Sequence, residues 1–122
     1  MKELIRVLFV DDDVALQNVY KAIFPINSID IIGQAFDGAE AVKTVEKGAE
    51  FDVIVMDQRM PVMDGVTATK KILEKNGDIR ILFLSADEGS RDAALAAGAR
   101  SFLIKPVKLD VLMGEISKIA AS

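Results

Sequence analysis

The chain of 122 residues contains no histidine and no cysteine. The missing imidazole excludes histidine general bases, most zinc sites and any phosphohistidine on this chain. The missing thiol excludes disulfides, thiolate metal sites and thiol chemistry, and it fits a reducing compartment. The chemistry available to the chain therefore rests on carboxylates, hydroxyls, amines and backbone groups.

Positive charge is also scarce, because 15 Lys and Arg residues stand against 19 Asp and Glu residues, for a formal net charge of -4. This balance gives no electrostatic footprint for a nucleic-acid backbone or an anionic membrane. The sequence has no apolar run of membrane-spanning length, and the residues from Met1 to Ile5 show no signal-peptide pattern. We expect a cytoplasmic protein that binds neither nucleic acid nor a membrane directly.

The length predicts one domain, residues 1–122, with one core. Apolar runs predict five strands, at residues 5–10, 29–35, 53–56, 81–84 and 101–104. Helical spacing follows each run, at residues 14–24, 37–48, 65–77, 90–97 and 108–120. The alternation predicts an α/β fold: a doubly wound five-stranded parallel sheet of order 2-1-3-4-5, flavodoxin-like, with five helices on two faces.

Acidic residues directly follow the first and third predicted strands. Asp11-Asp12-Asp13 comes after the first strand and Asp57 after the third. These two strands are neighbours in the predicted order, and ligand sites of open α/β sheets lie at the carboxyl ends of the strands. We therefore expect Asp11, Asp12 and Asp57 to converge on one pocket. Asp13 is interpreted as the N-cap of the first helix, because its side chain can accept from the free amides there.

Clustered carboxylates need a positive partner, since two unit charges about 4 Å apart repel by roughly 4 kcal/mol at an effective dielectric constant near 20. Oxygen ligands without imidazole or thiolate suit Mg²⁺ or a similar divalent ion. Lys105 follows the fifth strand and Ser85 the fourth, so both are expected at the same edge. A carboxylate nucleophile, a metal, an ammonium and a hydroxyl around one point indicate phosphoryl transfer to an aspartate.

Taken together, these motifs resemble the receiver domain of two-component response regulators. The resemblance spans the whole chain and rests on Asp11-Asp12, Asp57, Met60-Pro61, Met63-Asp64-Gly65, Ser85-Ala86, Gly98-Ala99, Phe102 and Lys105-Pro106. It implies a phosphoaspartate switch that takes its phosphoryl group from a histidine kinase or a histidine phosphotransfer protein and acts on a downstream protein target. Such a protein is not an enzyme beyond catalysing its own phosphorylation and dephosphorylation. The resemblance leaves it a monomer or a phosphorylation-dependent dimer.

The resemblance also implies roles for individual residues. Asp57 is the phosphoacceptor, and Ser85 and Lys105 hold the phosphoryl oxygens. Ser85 and Phe102 form the switch that changes the surface of the fourth helix, fifth strand and fifth helix. The peptide bond between Lys105 and Pro106 is cis, which a bond preceding proline allows at low cost.

The implied cofactor is Mg²⁺ or Mn²⁺. Its ligands would be Asp12, Asp57 and the backbone carbonyl of Arg59, with Asp11 acting through a water molecule. Arg59 also occupies one of two variable positions at the rim of the site, and the other is Asp87. Their opposite charges predict a pair across the mouth of the site that affects the lifetime of the phosphorylated state.

Two further features depart from the common pattern of the family. The segment from Ser85 to Phe102 is about two residues shorter than in many receivers, which predicts a trimmed fourth helix or preceding loop. Phe102 stands where Tyr is commoner and has no hydroxyl, so its switching would depend on packing.

Other functions are compatible with parts of the pattern. Asp11-Asp12-Asp13 imitates the Asp-x-Asp signature of haloacid-dehalogenase-like phosphohydrolases, in which Asp11 would be the nucleophile. Ala15 stands where that family has Thr or Val, and the chain is small for its fold. A non-phosphorylated pseudo-receiver scaffold is disfavoured because every chemical position is filled. A flavodoxin is disfavoured because no hydroxyl-and-glycine phosphate loop follows the first strand.

Overall fold

The computed structural model describes residues 4–122, so the first three residues of the predicted domain lie outside it. The strands are β1 (Ile5–Val10), β2 (Ile29–Ala35), β3 (Val53–Met56), β4 (Ile81–Ser85) and β5 (Ser101–Ile104). The α-helices are α1 (Val14–Ile23), α2 (Gly38–Glu46), α3 (Gly65–Lys75), α4 (Arg91–Ala96) and α5 (Leu109–Ala121). All strand pairs are parallel, in the order β2-β1-β3-β4-β5. The predicted flavodoxin-like fold is therefore confirmed.

Several element ends differ from the prediction by one or two residues, and two of these differences have local reasons. The α-helical hydrogen bonding of α1 stops at Ile23, and the chain continues as a 3₁₀ turn, Phe24–Asn27. Pro25 lies in the first turn of that segment, where a missing backbone N–H costs little. The helix predicted from residue 90 is preceded by a second 3₁₀ turn, Glu88–Ser90, and α4 has only six residues. The short α4 agrees with the predicted trimming of this region.

The sheet has an apolar layer on each face. Alternate residues of one strand enter opposite layers, because side chains of a β-strand point to opposite faces in turn: Val7 and Phe9 lie in one cluster, Leu8 and Val10 in the other. The first layer is completed by α1 and α5, and the second by α2, α3 and α4. Burial on both faces explains why the strands read as continuous apolar runs.

The carboxyl ends of four strands meet at one edge of the sheet. Val10 of β1 pairs with Met56 of β3, and Ser85 of β4 pairs with Ile104 of β5. The residues that follow these strand ends therefore share one edge, as the sequence predicted. In the part of the chain that the structure describes, no helix is both long and apolar enough to cross a bilayer.

Candidate functional site

Asp11 is the most buried carboxylate of the site, with 1% of its surface exposed. Its backbone N–H continues the β1–β2 ladder by donating to the carbonyl of Ala35 at 3.1 Å. Its Oδ1 accepts a hydrogen bond from the backbone N–H of Asp13 at 2.9 Å. The Asp13 side chain in turn accepts from the N–H of Leu16 at 3.0 Å, which confirms it as the N-cap of α1. The turn from β1 into α1 is thus fixed by its own carboxylates.

Asp57 follows the last residue of β3 and is 8% exposed. Its N–H donates to the carbonyl of Val10 at 2.9 Å, so the backbone of Asp57 is tied to the end of β1. Its Oδ1 accepts from the N–H of Gln58 at 2.8 Å. These bonds hold the carboxylate at the mouth of the cleft between β1 and β3.

The loop behind Asp57 folds back on that residue because Gly65 has no side chain. A Cβ at Gly65 would lie 2.1 Å from the carbonyl oxygen of Asp57. The N–H of Gly65 donates to the carbonyl of Gln58 at 2.9 Å, and the Gln58 side chain accepts from Val66 at 2.8 Å. Asp64 caps α3 by accepting from Thr67 at 2.8 Å. The requirement for glycine at residue 65 is evident only from the fold.

Lys105 follows β5 and extends its ammonium to both buried carboxylates. Its Nζ lies 2.6 Å from Oδ2 of Asp11 and 3.6 Å from Oδ2 of Asp57. Its closest partner is therefore Asp11, from which it is 94 residues distant in the sequence. The following bond to Pro106 is cis, as the resemblance implied.

Burial and charge change the proton affinities of these groups. Burial raises the pKa of the Asp57 carboxyl, and the negative charge of Asp11 raises it further. Three groups lower the pKa of Asp57: the charge of Lys105, the N–H of Gln58 and a hydrogen bond from Ser85. Their combined effect is the smaller one, so the pKa stays above its usual value. Burial works to lower the pKa of Lys105, but its hydrogen bond to Asp11 and the two carboxylate charges outweigh burial and raise that pKa. Lys105 is thus a cation at neutral pH.

The predicted switch residues lie on adjacent strands. Ser85, at the end of β4, is 1% exposed, and its Oγ accepts from the N–H of Asp87 at 3.1 Å. Phe102 of β5 is 5% exposed and stacks on Phe83 of β4, with ring centroids 5.9 Å apart and an angle of 15° between the planes. Phe102 therefore lies in the core layer beneath α4, packed on an aromatic neighbour that the sequence analysis had not singled out.

The two predicted rim residues are in direct contact. Nε of Arg59 lies 3.2 Å from Oδ2 of Asp87, and the Arg59 side chain is 83% exposed against 20% for Asp87. The pair links the loop after β3 to the loop after β4. Its effect on the lifetime of the phosphorylated state stays a prediction.

The described residues contain one group of acidic side chains suited to a metal ion. Asp11, Asp12 and Asp57 each offer a carboxylate oxygen, and these oxygens all lie within 4.8 Å of one another. An all-oxygen donor set at the end of a cleft fits Mg²⁺ or Mn²⁺. The roles of the Arg59 carbonyl and of a bridging water at Asp11 stay predictions.

One polar residue of the site was missed by the sequence analysis. Gln17 is fully buried under the turn that carries Asp11, and its side chain donates to the Asp11 carbonyl. Its position three residues before Tyr20 and seven before Phe24 places it on the apolar stripe of α1. A polar residue on such a stripe is the signal that could have identified it.

A doubly wound parallel sheet whose carboxyl edge brings together three aspartates, a serine and a lysine defines a class of signalling domain. The family model described as "Response regulator receiver domain" matches residues 7–117. The chain belongs to this family and is a CheY-like receiver of two-component signalling. Membership of the family sets aside the haloacid-dehalogenase alternative.

Three relatives illustrate the similarity. The chemotaxis protein CheY of Bacillus subtilis (strain 168) is 34% identical over 115 residues, covering 93% of this chain and 95% of the relative. The receiver domain of a sensor histidine kinase from Pseudomonas aeruginosa PAO1, with a magnesium ion in its active-site cleft, superposes with a TM-score of 0.87 at 30% identity, covering 98% and 99%. A structure of the CheX-CheY-BeF3-Mg²⁺ complex from Borrelia burgdorferi gives a TM-score of 0.85 at 31% identity, covering 94% and 88%.

Proposed function

We propose that this protein accepts a phosphoryl group on Asp57 from the phosphohistidine of a histidine kinase or a histidine phosphotransfer protein, in a reaction that depends on Mg²⁺ or Mn²⁺. The observation that carries the proposal is the convergence of Asp11, Asp12 and Lys105 on the Asp57 carboxylate. Phosphoryl transfer requires little covalent chemistry from a protein beyond positioning and neutralisation of charge. The site supplies the positioning, and Lys105 together with a bound divalent ion would neutralise the charge.

In the reaction, a carboxylate oxygen of Asp57 attacks the phosphorus, and the imidazole nitrogen of the partner leaves with the bonding electrons. Lys105 and Ser85 hold phosphoryl oxygens as the new bond forms. Lys105 reaches this role from a position 3.6 Å from Asp57, as a cation that burial has not neutralised. Hydrolysis of the acyl phosphate by water ends the signal, and the chain catalyses these two reactions on itself alone.

The metal ion would be held by Asp12, Asp57 and the Arg59 carbonyl, with Asp11 acting through a water molecule. When bound, it neutralises charge that develops on the transferred group. Asp11 keeps its carboxylate turned to the site through its bonds to Asp13 and Lys105. The magnesium ion in the active-site cleft of the related kinase receiver domain supports a divalent ion at this site.

Phosphorylation then changes the output surface, which we define as α4, β5 and α5. Moving a two-state equilibrium from 1:99 to 99:1 takes roughly 5.5 kcal/mol. Charge-assisted contacts of the phosphoryl group with Ser85 and Lys105 supply about 1.5 to 3 kcal/mol each, so both are needed. Apolar side chains already exposed on this surface suit a protein target: Leu95, Ile104 and Val111.

The Arg59–Asp87 pair sets how long the phosphorylated state lasts. Because it bridges the loop after β3, which begins at Asp57, and the loop after β4, it obstructs the in-line approach of water to the phosphoaspartate. An exposed ion pair is worth only about 0.2 to 1 kcal/mol, while the hydrolysis rate changes tenfold for every ~1.36 kcal/mol of barrier. The pair therefore has a modest effect on the lifetime.

Residues 1–122 form a single receiver domain that acts in the cytoplasm, as a monomer or a phosphorylation-dependent dimer. Output is by contact with a downstream protein target, without direct binding to nucleic acid or a membrane.

Mass spectrometry after treatment with a small acyl phosphate and Mg²⁺ tests the assignment. We expect one phosphoryl adduct, on the peptide that contains Asp57, and its loss in EDTA and in Asp57→Asn. Asp78→Asn, the same chemical change in the loop before β4 at the opposite edge of the sheet, should keep the adduct. An adduct on Asp11, or one that persists in Asp57→Asn, would exclude Asp57 as the acceptor. Absence of any adduct in the unmodified protein would instead favour a pseudo-receiver scaffold.

A further inference from the structure

Gln17 is a fully buried polar residue in the second turn of α1. Its Nε2 donates to the carbonyl of Asp11 at 2.8 Å and to the carbonyl of Ala35 at 2.7 Å. Both partners are carbonyl oxygens, which can only accept, so the orientation of the amide is fixed by chemistry. One side chain therefore joins the carboxyl ends of β1 and β2 at the base of the acidic turn.

The bonds around Gln17 close on the carboxylates of the site. The Gln17 backbone N–H donates to the carbonyl of Asp13 at 3.1 Å, while its side chain holds the carbonyl of Asp11. Between these two anchors, the N–H of Asp13 donates to Oδ1 of Asp11. The turn formed by residues 11–13 is thus held at Asp11 by the Gln17 side chain and at Asp13 by the ordinary helical bond of the Gln17 backbone, and Asp12 lies between the two anchors.

The same side chain carries an unpaired acceptor. Oε1 of Gln17 is buried and has no hydrogen-bond partner among the described residues. A buried acceptor without a partner is costly, and an apolar residue at this position would avoid the cost. A side chain that serves only to pack α1 on the sheet does not need an amide. What the amide adds is two donated bonds, one to the acidic turn at Asp11 and one to the end of β2 at Ala35.

We propose that Gln17 is a positioning residue for the metal site: it holds the backbone of residues 11–13 so that the carboxylates of Asp11 and Asp12 face Asp57. The proposal rests on the proposed function for the identity of the ion, Mg²⁺. Partners that orient metal ligands affect affinity although they do not touch the ion, and their loss weakens metal binding by about 10-fold to 100-fold.

The test compares Gln17→Met with a matched control, Thr69→Val. Methionine keeps the length of the side chain and removes both donors. Thr69 of α3 is also fully buried, and its hydroxyl has no hydrogen-bond partner within the described part of the chain. Helix α3 packs on the opposite face of the sheet from α1, so Thr69 lies away from the acidic turn. Mg²⁺ dissociation constants come from amide NMR titrations, and hydrogen exchange of the Asp13 amide is measured in EDTA.

We expect Gln17→Met to weaken Mg²⁺ binding at least about tenfold and to speed exchange of the Asp13 amide, while Thr69→Val changes neither. If Gln17→Met lowers thermal stability but leaves the Mg²⁺ dissociation constant unchanged, Gln17 is structural only and the proposal is wrong. If the unmodified protein itself does not bind Mg²⁺, the proposed function fails. The Asp13 exchange rate then still decides whether Gln17 holds the turn, and an unchanged rate overturns the inference.

Should Gln17→Met not fold, Gln17→Asn replaces it. Asparagine keeps the amide on a side chain one methylene shorter, which cannot donate to both carbonyls at once. The same two measurements apply, with the same expected directions.

Discussion

Replacing Asp57, the proposed phosphoacceptor, with a neutral asparagine should make the protein more stable in the absence of metal. At 4.8 Å or less, the charges of Asp11 and Asp57 repel by at least about 3.5 kcal/mol at an effective dielectric constant of 20. The attraction between Lys105 and Asp57 at 3.6 Å is about 4.6 kcal/mol on the same scale. These two contributions nearly cancel, and the exposed carboxylate of Asp12, also within 4.8 Å, adds repulsion, so Asp12 and the burial of the Asp57 charge decide the sign.

Burying an ion costs several kcal/mol, and the amide in Asp57→Asn avoids that cost. We therefore expect Asp57→Asn to raise the free energy of unfolding by about 1 kcal/mol or more in EDTA at neutral pH. For a chain of this length, 1 kcal/mol corresponds to an increase in Tm of about 3 to 6 °C. Thermal unfolding followed by circular dichroism measures the change, and Asp78→Asn is the control for the substitution itself.

The pH dependence has a definite sign. Because the pKa of Asp57 is raised in the folded protein, its favourable contribution is complete below the unfolded-state pKa, near 4, and is lost as the pH rises through the folded-state pKa. The stability difference between Asp57→Asn and the unmodified protein should therefore narrow as the pH falls from neutral toward about 4. It should widen again when the pH is raised.

Magnesium should reverse the order of stability. An ion that binds only the folded state stabilises it by about 2.7 kcal/mol at 100 times its dissociation constant, and Asp57→Asn lacks one of the proposed ligands. The unmodified protein should then melt above the variant. If Asp57→Asn melts below the unmodified protein in EDTA, the electrostatic reasoning is refuted. If Mg²⁺ stabilises both proteins equally, Asp57 is not a ligand.

Three further predictions concern the switch, the rim and the loop behind the acceptor. Ser85→Ala should still accept a phosphoryl group but switch incompletely. The change is measured as amide NMR shifts around Phe102 on phosphorylation. If these shifts match those of the unmodified protein, Ser85 does not couple the site to Phe102. Dephosphorylation rates should be measured for Arg59→Ala, Asp87→Ala and the double variant. We expect the effects of the two single substitutions on the activation free energy to be non-additive, with a coupling of at most about 1 kcal/mol. If the two effects simply add in the double variant, Arg59 acts by shielding alone. Gly65→Ala should lower the free energy of unfolding by roughly 1 to 3 kcal/mol, because its Cβ would lie 2.1 Å from the carbonyl oxygen of Asp57. Chemical denaturation measures the loss, and an unchanged midpoint would show that the loop can relax.

The order of strands and helices followed from the sequence because the physical signal is local. Central strands of a parallel sheet covered on both faces are largely apolar on both sides, so the runs at residues 5–10 and 53–56 stand out without knowledge of their partners. The residue after each run must then lie at one edge of the sheet. For this reason Asp11, Asp57 and Lys105 could be assigned to a common site from their positions alone.

Contacts that depend on the path of the chain could not be predicted in this way. Nothing near Gly65 in the sequence indicates that its α-carbon approaches the carbonyl of a residue eight positions earlier. The amide of Gln17 reaches a carbonyl 18 residues away, at the end of another strand. The ammonium of Lys105 lies 2.6 Å from Asp11 but 3.6 Å from Asp57, the predicted acceptor. This difference in distance cannot be predicted from the order of residues. Such details require coordinates because they depend on three-dimensional packing.

The electrostatics of the site link its stability to its function. The carboxylates of Asp11, Asp12 and Asp57 and the ammonium of Lys105 add to three negative charges and one positive charge, a formal charge of −2. The fold holds this charge in a partly buried cleft, where it opposes folding and where one divalent cation would balance it. A substitution that relieves the repulsion would therefore remove the charge that, in the proposed function, attracts the ion and attacks the phosphoryl group. We expect stabilising changes at these four positions to reduce metal affinity or phosphoryl acceptance, whereas stabilising changes in the two core layers should affect neither.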